Sequence, residues 1–169
     1  YARIEKVAEG VVSIVQEIME RQALILELSM PDALPVVAVD PSILRQIVLS
    51  ALGWLSETTQ ENVIRLAARV ERPDVKLSIA LDQEIPLSPE TERELGARMS
   101  ALEEMAALSQ AEISALKADG HLGSFEIVLP VAQRTVLVVD DNQDVLELFR
   151  RYLESSHYRV IVTDQADDA

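Results

Sequence analysis

The chain has 169 residues, of which 49% are hydrophobic and 26% are charged, a balance typical of a globular protein with a substantial core. It contains no cysteine and only two histidines, His121 and His157, which excludes disulfides, zinc–thiolate sites and thiol catalysis and disfavours a histidine-based metal site. Its net charge of −14 argues against a nucleic-acid or anionic-membrane surface, and the lack of a ~20-residue apolar run or a signal-peptide pattern makes the cytoplasm the expected location.

The first part of the chain predicts a helix, two short strands and a second helix. Apolar residues at helical spacing run through 4–19, and an alternating apolar pattern follows over 24–30. Residues 36–39 predict a short second strand after a proline-flanked turn. Asp40-Pro41 then starts a helix, because aspartate is a favoured N-cap and proline at the first helical position loses no hydrogen bond.

The middle of the chain predicts two strands and a third helix. Alternation predicts strands over 64–70 and 75–81, with Val70 facing inward near the end of the first. Ser88-Pro89 starts the next helix, whose acidic first turn complements the helix dipole. The residues that this helix is expected to bury are Leu95, Met99, Leu102, Met105 and Leu108.

A hairpin follows that helix. Asp119-Gly120, a common turn dipeptide, is predicted to join strands over 113–116 and 125–129. The elements up to this point read α-β-β-α-β-β-α-β-β. That order predicts an α+β fold, a two-layer sandwich of helices packed on one face of a mixed sheet.

The pattern changes beyond a short linker over 131–134. Residues 136–139 form an apolar strand of the kind buried in parallel sheets. An amphipathic helix and a strand over 158–162 follow, which together make a β-α-β unit. The predicted domains are therefore residues 1–130 and residues 135–169.

The helix that starts at Asp40 resembles the N-box helix of histidine kinase ATPase domains, with the sequence DPSILRQIVL over 40–49. The closing strand GSFEIVLP over 123–130 and the helix and strand before Asp40 also fit that family. The resemblance spans residues 1–130 in the family's order. It implies a histidine-kinase ATPase-like fold, a role in two-component signalling, and, in active members, binding of Mg²⁺ and ATP.

The positions that would hold the Mg²⁺–phosphate group do not carry the family's residues. The family supplies an asparagine from the N-box helix and a lysine shortly after it. Here those positions hold Trp54 and Glu57, and an earlier asparagine position holds Ser50. Indole offers only an N–H donor and does not coordinate Mg²⁺, and Glu57 would repel phosphates that a lysine would attract.

The glycine-containing nucleotide motifs are degenerate as well. The stretch that corresponds to Asp-x-Gly-x-Gly is LDQEIP over 81–86, in which Asp82 is at most a displaced remnant. GARM over 96–99 stands where the family has Gly-Leu-Gly-Leu, so only Gly96 remains, within continuous helix. The joint loss of the N-box residues and of both glycine motifs predicts that ATP does not bind in the usual mode. In addition, neither histidine lies in a segment that predicts a phosphoacceptor helix.

Two interpretations of Trp54 stay open. The simpler one is a core residue that fills the vacated pocket with an apolar ring. In the other, Trp54 lines a site for a different aromatic ligand. Asp82 is most simply a solvated acid at a strand end.

The tail resembles a second signalling domain, the response-regulator receiver. VLVVDDN over 136–142 resembles its first strand, whose paired acids hold Mg²⁺. Asp140 and Asp141 are therefore the predicted metal ligands, because carboxylate oxygens suit this ion. The phosphoacceptor aspartate would lie beyond Ala169, so this pair alone would bind Mg²⁺ only weakly. The resemblance implies a flavodoxin-like β-α-β fragment of a receiver domain.

The favoured function is a two-component phosphorelay module, in which a non-catalytic ATPase-like domain acts as a scaffold or partner-docking unit next to a receiver domain. One alternative is a hybrid histidine kinase that binds ATP at an atypical site. A second is a small-molecule sensor that reuses the vacated pocket. The expected partners are other two-component signalling proteins or domains, with homodimerisation left open, and neither nucleic acid nor membrane.

Overall fold

A computed structural model describes residues 1–132, 134–154 and 158–164. The chain divides into two compact units, Tyr1–Val131 and Ala132–Ala169. Within the described ranges, no helix is both long and apolar enough to cross a membrane. His157 lies outside those ranges.

The first unit combines three helices with one sheet. The helices are α1 (Ile4–Arg21), α2 (Pro41–Thr58) and α3 (Pro89–Ala107). The strands are β1 (Ile25–Ser29), β2 (Val63–Glu71), β3 (Asp74–Pro86), β4 (Glu112–Ala118) and β5 (His121–Pro130). They form a five-stranded sheet in the order β1-β2-β3-β5-β4. β1 pairs parallel to β2 and the other neighbours pair antiparallel, so the sheet is mixed.

One face of the sheet packs against the helices. Alternate residues of β2, β3 and β5 are buried there, together with one stripe of each helix. Phe125 of β5 is among the largest fully buried side chains. Charged residues project from the opposite face, where Nζ of Lys76 lies 2.7 Å from Glu126 and 3.0 Å from Glu71. The predicted α+β two-layer sandwich is confirmed.

Two helices begin where the sequence predicted. The Asp40 carboxylate accepts hydrogen bonds from the backbone N–H groups of Ser42 and Ile43, at 2.7 and 3.3 Å. The Ser88 hydroxyl accepts one from the Thr91 N–H at 3.1 Å. A proline follows each cap. Each helix start therefore satisfies N–H groups that the helix itself leaves without acceptors.

The Asp40 cap makes the stability of the first unit depend on pH. The N–H groups of Ser42 and Ile43 hold the pKa of the Asp40 carboxyl below its ordinary value. The ionised Asp40 carboxylate contributes fully to stability at pH values above its pKa in the unfolded chain. This contribution is lost as the pH falls through the lower pKa that Asp40 has in the folded protein. We expect Asp40→Ala to lower the melting temperature by a few degrees near neutral pH, and the difference to shrink at about pH 3. Circular dichroism melts at the two pH values measure this.

Asp40→Asn is the matched control for the cap. The amide oxygen can accept the same N–H bonds without a titrating charge, so this variant should stay close to the parent at neutral pH. An Asp40→Ala deficit that is the same at both pH values would contradict a role for the ionised carboxylate.

β4 and β5 form the predicted hairpin. Asp119 and Gly120 connect them with φ angles of 50° and 76°, the positive values that a two-residue type I′ turn requires. Glycine adopts this region without a Cβ clash, and aspartate is one of the residues that tolerate it. The Gly120 carbonyl accepts a hydrogen bond from the Leu87 N–H at 2.8 Å, which ties the turn to the segment after β3.

The strand predicted over 36–39 is wrong. Within this segment only Val37 pairs, through single bridges to Ala2 and Val131. Pro35 has no N–H to donate and α2 begins soon after Val37, so the segment cannot extend into a ladder. The order of the described elements in the first unit is therefore α-β-α-β-β-α-β-β.

Two residues predicted to be buried are exposed. Leu108 is 79% exposed because α3 ends at Ala107, and Ala106 is buried instead. Val70 is 44% exposed because it lies beside the turn of the β2–β3 hairpin. The periodic pattern identified the buried faces but not the points at which burial stops.

The second unit contains β6 (Arg134–Val139), α4 (Gln143–Glu154) and β7 (Tyr158–Thr163). β6 and β7 pair in parallel, with Leu137 opposite Ile161, and Leu146 of α4 is buried. These elements form a β-α-β arrangement whose first strand begins within the predicted linker. Its identity as a receiver fragment stays a prediction.

Candidate functional site

A groove lies between the C-terminal half of α2 and α3. Its volume is about 690 Å³, within the range of ~300–1,000 Å³ usual for small-molecule pockets. Its lining residues are Trp54, Glu57 and Thr58 from α2 and Thr91, Glu94, Ala97, Arg98 and Ala101 from α3. We call it the α2–α3 groove.

Trp54 is the aromatic residue of this groove. It is 2% exposed, and its ring meets Phe125 edge-on, with centroids 6.0 Å apart and an interplanar angle of 84°, a favourable aromatic geometry. Its Nε1 is buried and has no hydrogen-bond acceptor among the residues that the structure describes. The side chain therefore fills the base of the groove, and its only donor finds no acceptor among the described residues.

Arg98 connects the two helices. Its Nη1 donates to the Ser50 carbonyl at 3.4 Å, and its Nη2 lies 3.5 Å from Oε2 of Glu57. Ser50, Trp54 and Glu57 follow one another at intervals that the helical period places on one side of α2. The structure thus brings these three predicted positions together on the flank of α2 that faces α3.

Gly96 is not part of this arrangement. β3 ends at Pro86 and α3 starts at Pro89, so only Leu87 and Ser88 connect them. Gly96 lies exposed in the interior of α3 and does not line the groove. The backbone N–H groups around it are bonded within the helix rather than available to an anion.

Asp82 lies on the other face of the sheet. Arg65 alternates along β2 with the buried residues Ile64 and Leu66, so its side chain projects away from the helices. Its Nη2 is 4.0 Å from Oδ1 of Asp82. Asp82 therefore belongs to the charged face, and the structure does not bring it together with Trp54.

Asn62 organises the end of the sheet and was missed by sequence reasoning. It is buried; its Nδ2 donates to the Gln83 carbonyl at 2.8 Å, and its Oδ1 accepts from the N–H groups of Gln83 and Val63 at 3.1 and 2.8 Å. These bonds hold the stretch in which the β3–β5 register shifts, between Ala80 and Ile85. In the sequence, the only indication of this role is an asparagine just before a strand. Asparagine is common in ordinary turns, so its position does not reveal these hydrogen bonds.

Comparisons with protein-family models and with curated protein sequences find no match. Solved structures do match, and those reported below are histidine kinases. The match to full-length ShkA in complex with AMPPNP covers 99% of this chain and 41% of ShkA, with 17% identity and a TM-score of 0.64. The match to histidine kinase AdeS of Acinetobacter baumannii covers 77% of this chain and 66% of the AdeS chain, with 16% identity and a TM-score of 0.63.

A third match is the catalytic domain of histidine kinase ThkA. It covers 77% of this chain and 94% of that domain, with 13% identity and a TM-score of 0.63. The chain contains the histidine kinase catalytic fold. It spans less than half the length of full-length ShkA.

Sequence reasoning did not single out Arg98, Thr91 or Glu94 as groove residues. Their signal was available, because residues 91, 94 and 98 recur at helical spacing and share one side of α3. Which helix this side would face was not readable from the pattern.

Asp140 and Asp141 follow β6 in the second unit. Oδ1 of Asp140 accepts from the Asn142 N–H at 2.9 Å, and the Asp140 N–H donates to the Thr163 carbonyl at 3.2 Å. Oδ1 of Asn142 accepts from the Asp144 N–H at 2.9 Å, at the start of α4. The described residues contain no group of three or more side chains placed to share a metal ion. The Mg²⁺ site therefore stays a prediction.

Proposed function

We propose that this chain is part of a two-component signalling protein and that its ATPase-like unit is non-catalytic, serving as a scaffold or partner-docking unit. One observation carries the proposal: the N-box-like helix presents Trp54 and Glu57 to the α2–α3 groove, where the family needs an amide and a cation. The signalling role is supported by the fold, because the three solved structures reported above that share it are histidine kinases.

The charges of the groove support the loss of nucleotide binding. A bound triphosphate needs cations and Mg²⁺ ligands nearby, whereas the lining carries the carboxylates of Glu57 and Glu94. Arg98 is the one cation among the described lining residues, and it already contacts Glu57 and the Ser50 carbonyl. The groove is therefore net negative and would repel a polyanion.

The path of the backbone supports the same conclusion. The two-residue connection between β3 and α3 supplies no segment to fold over a nucleotide. Trp54 fills the base of the groove against Phe125. Arg98, a further lining residue, contacts the Ser50 carbonyl and Glu57 across the two helices.

The second unit is assigned, as part of this proposal, to the start of a receiver domain. Its strand, helix and parallel strand place Asp140 and Asp141 directly after β6, where a receiver needs its metal-binding acids. The partners would then be other two-component proteins. One structural neighbour, ThkA, has been crystallised in complex with the response regulator TrrA, which supports a partner of this kind.

A Mg²⁺–ATP titration tests the proposal. We expect no saturable change in Trp54 fluorescence and no calorimetric heat of binding up to millimolar nucleotide, because the groove lacks phosphate ligands and repels anions. Full-length ShkA, crystallised with AMPPNP, is the positive control. Saturable binding in the micromolar range would contradict the proposal and favour a histidine kinase with an atypical ATP site.

A small-molecule sensor is the second candidate function. It is favoured by the buried Nε1 of Trp54, which has no acceptor among the described residues, beside a groove of about 690 Å³. A ligand oxygen that accepted this bond would remove the cost of the unsatisfied donor. A sensor would be recognised by a ligand that raises the melting temperature of the parent but not of Trp54→Phe.

A further inference from the structure

A second concave region lies beside the N-terminal turns of α1 and α2. Its volume is about 310 Å³, and cationic side chains make up half of its lining, which consists of Tyr1, Arg3, Lys6, Val7, Pro41 and Arg45. We call it the basic groove. Such a concentration of positive charge is unexpected in a chain with a net charge of −14.

The three cations of the basic groove have no ion-pair partner among the residues that the structure describes. Elsewhere in the first unit, ion pairs engage basic side chains of the sheet and of α3. Among the described residues, none of Arg3, Lys6 and Arg45 lies within ion-pair distance of a carboxylate. With 29 acidic against 15 basic residues in the sequence, carboxylates are abundant. The basic groove is therefore a locally positive surface on a protein whose overall charge is negative.

The adjacent carboxylate, Asp40, caps α2 through Ser42 and Ile43; it does not line the basic groove, and its single negative charge is outnumbered by the three cations that do. Arg3 occupies the N-cap position of α1 without a capping hydrogen bond from its side chain, and Lys6 follows in the first turn. The helix dipole disfavours cations at this end of a helix. An anion held among them would offset that cost together with their mutual repulsion.

The basic groove is separate from the α2–α3 groove. Arg45 precedes Trp54 by about two and a half helical turns, so the two side chains lie on opposite sides of α2. A Cβ at Gly10 would lie 4.0 Å from Nε of Arg45, which places the Arg45 side chain against α1. The basic groove is thus built by the α1–α2 pair and the residues that lead into α1.

We infer that the basic groove binds a small phosphate-type oxyanion, either inorganic phosphate or the phosphate group of a small monoester. The guanidinium groups of Arg3 and Arg45 present paired donors that match phosphate oxygens, and Lys6 adds a point charge. The volume of about 310 Å³ is at the lower end of ligand pockets and suits a phosphate group better than a nucleotide. This site goes beyond the proposed function, since it needs neither ATP nor the second unit.

The test is a titration of the full chain with inorganic phosphate at constant ionic strength, followed by heteronuclear NMR. We expect saturable shifts of the backbone amides of Arg3, Lys6 and Arg45. Lys6→Ala and Arg45→Ala should each weaken binding by about tenfold, because each removes a charge-assisted hydrogen bond. Arg72→Ala is the matched control: Arg72 is exposed and lies outside the groove, so its loss should leave the affinity unchanged.

A parallel titration with glucose 6-phosphate distinguishes the two sources of the phosphate group, because the tighter of the two ligands identifies the source. A phosphate-dependent rise in melting temperature that is lost in Lys6→Ala provides a second readout. Equal weakening by Arg72→Ala would reveal general charge attraction and overturn the inference, as would a lack of saturation at tens of millimolar phosphate. Failure here leaves the proposed function intact, because the ATP titration probes the opposite side of α2.

Discussion

Replacing Trp54 with alanine is expected to lower the free energy of unfolding by about 3–5 kcal/mol. The side chain is 2% exposed and its ring packs edge-on against Phe125 at a centroid distance of 6.0 Å. Its removal leaves a cavity between α2 and the sheet that the surrounding helices can only partly close. Urea denaturation followed by circular dichroism measures the loss, because Trp54 is the only tryptophan and the variant has no tryptophan fluorescence to follow.

Trp54→Phe separates the ring from its N–H group. Phenylalanine keeps most of the apolar packing and removes a donor that has no acceptor among the described residues. We expect the free energy of unfolding to stay within about 1 kcal/mol of the parent. A loss as large as that of Trp54→Ala would mean that the indole N–H makes a hydrogen bond, and would contradict the description of Trp54 as a space-filling residue.

Replacing Asn62 with alanine is expected to lower the free energy of unfolding by about 2–4 kcal/mol. The buried amide bonds both the N–H and the carbonyl of Gln83 as well as the N–H of Val63. Alanine would leave these backbone groups without partners in a partly buried site. Amide hydrogen exchange at Gln83 and Val63, together with urea denaturation, would locate and measure the loss.

Gln83→Ala is the matched control for Asn62. The Gln83 side chain is exposed, and only its backbone takes part in the bonds to Asn62. The free energy of unfolding should change by no more than about 0.5 kcal/mol. If Asn62→Ala proved equally mild, the stretch between Ala80 and Ile85 would be held by other contacts.

The starts of helices and the tight turn were predictable because the groups that stabilise them are neighbours in the sequence. Asp40-Pro41 and Ser88-Pro89 each contain an N-cap and a proline, and α2 and α3 begin there. Asp119-Gly120 likewise supplies both positive φ angles of the hairpin turn.

Errors arose where burial or pairing depends on residues far away in the chain. Val37 pairs with Ala2 and Val131, and the length of such a ladder depends on how the three segments meet. Leu108 continues the apolar period of α3, yet the helix ends one residue earlier and leaves it exposed. A periodic pattern shows which side of a helix or strand is apolar. It does not show how far along that side the neighbouring helix or sheet extends to cover it.

The candidate site divides in the same way. Ser50, Trp54 and Glu57 lie on one helix, so their common side follows from the helical period. Arg98 joins them through its contacts with Ser50 and Glu57, and this requires α3 to pack beside α2. Asp82 faces the other side of the sheet because it follows Leu81, which pairs with the buried Ile64, and successive side chains of a strand alternate between faces.

By itself the sequence determined the α+β class, the helix starts, the buried faces and the likeness of α2 to an N-box helix. Only the tertiary structure decided the strand order β1-β2-β3-β5-β4, the α2–α3 groove and the convergence of Arg3, Lys6 and Arg45 at the basic groove. The physical reason is the separation along the chain between the residues that interact. Caps, turns and periodic faces are satisfied within a few residues, whereas register, grooves and charge clusters arise from contacts between residues that the chain brings together only when it folds.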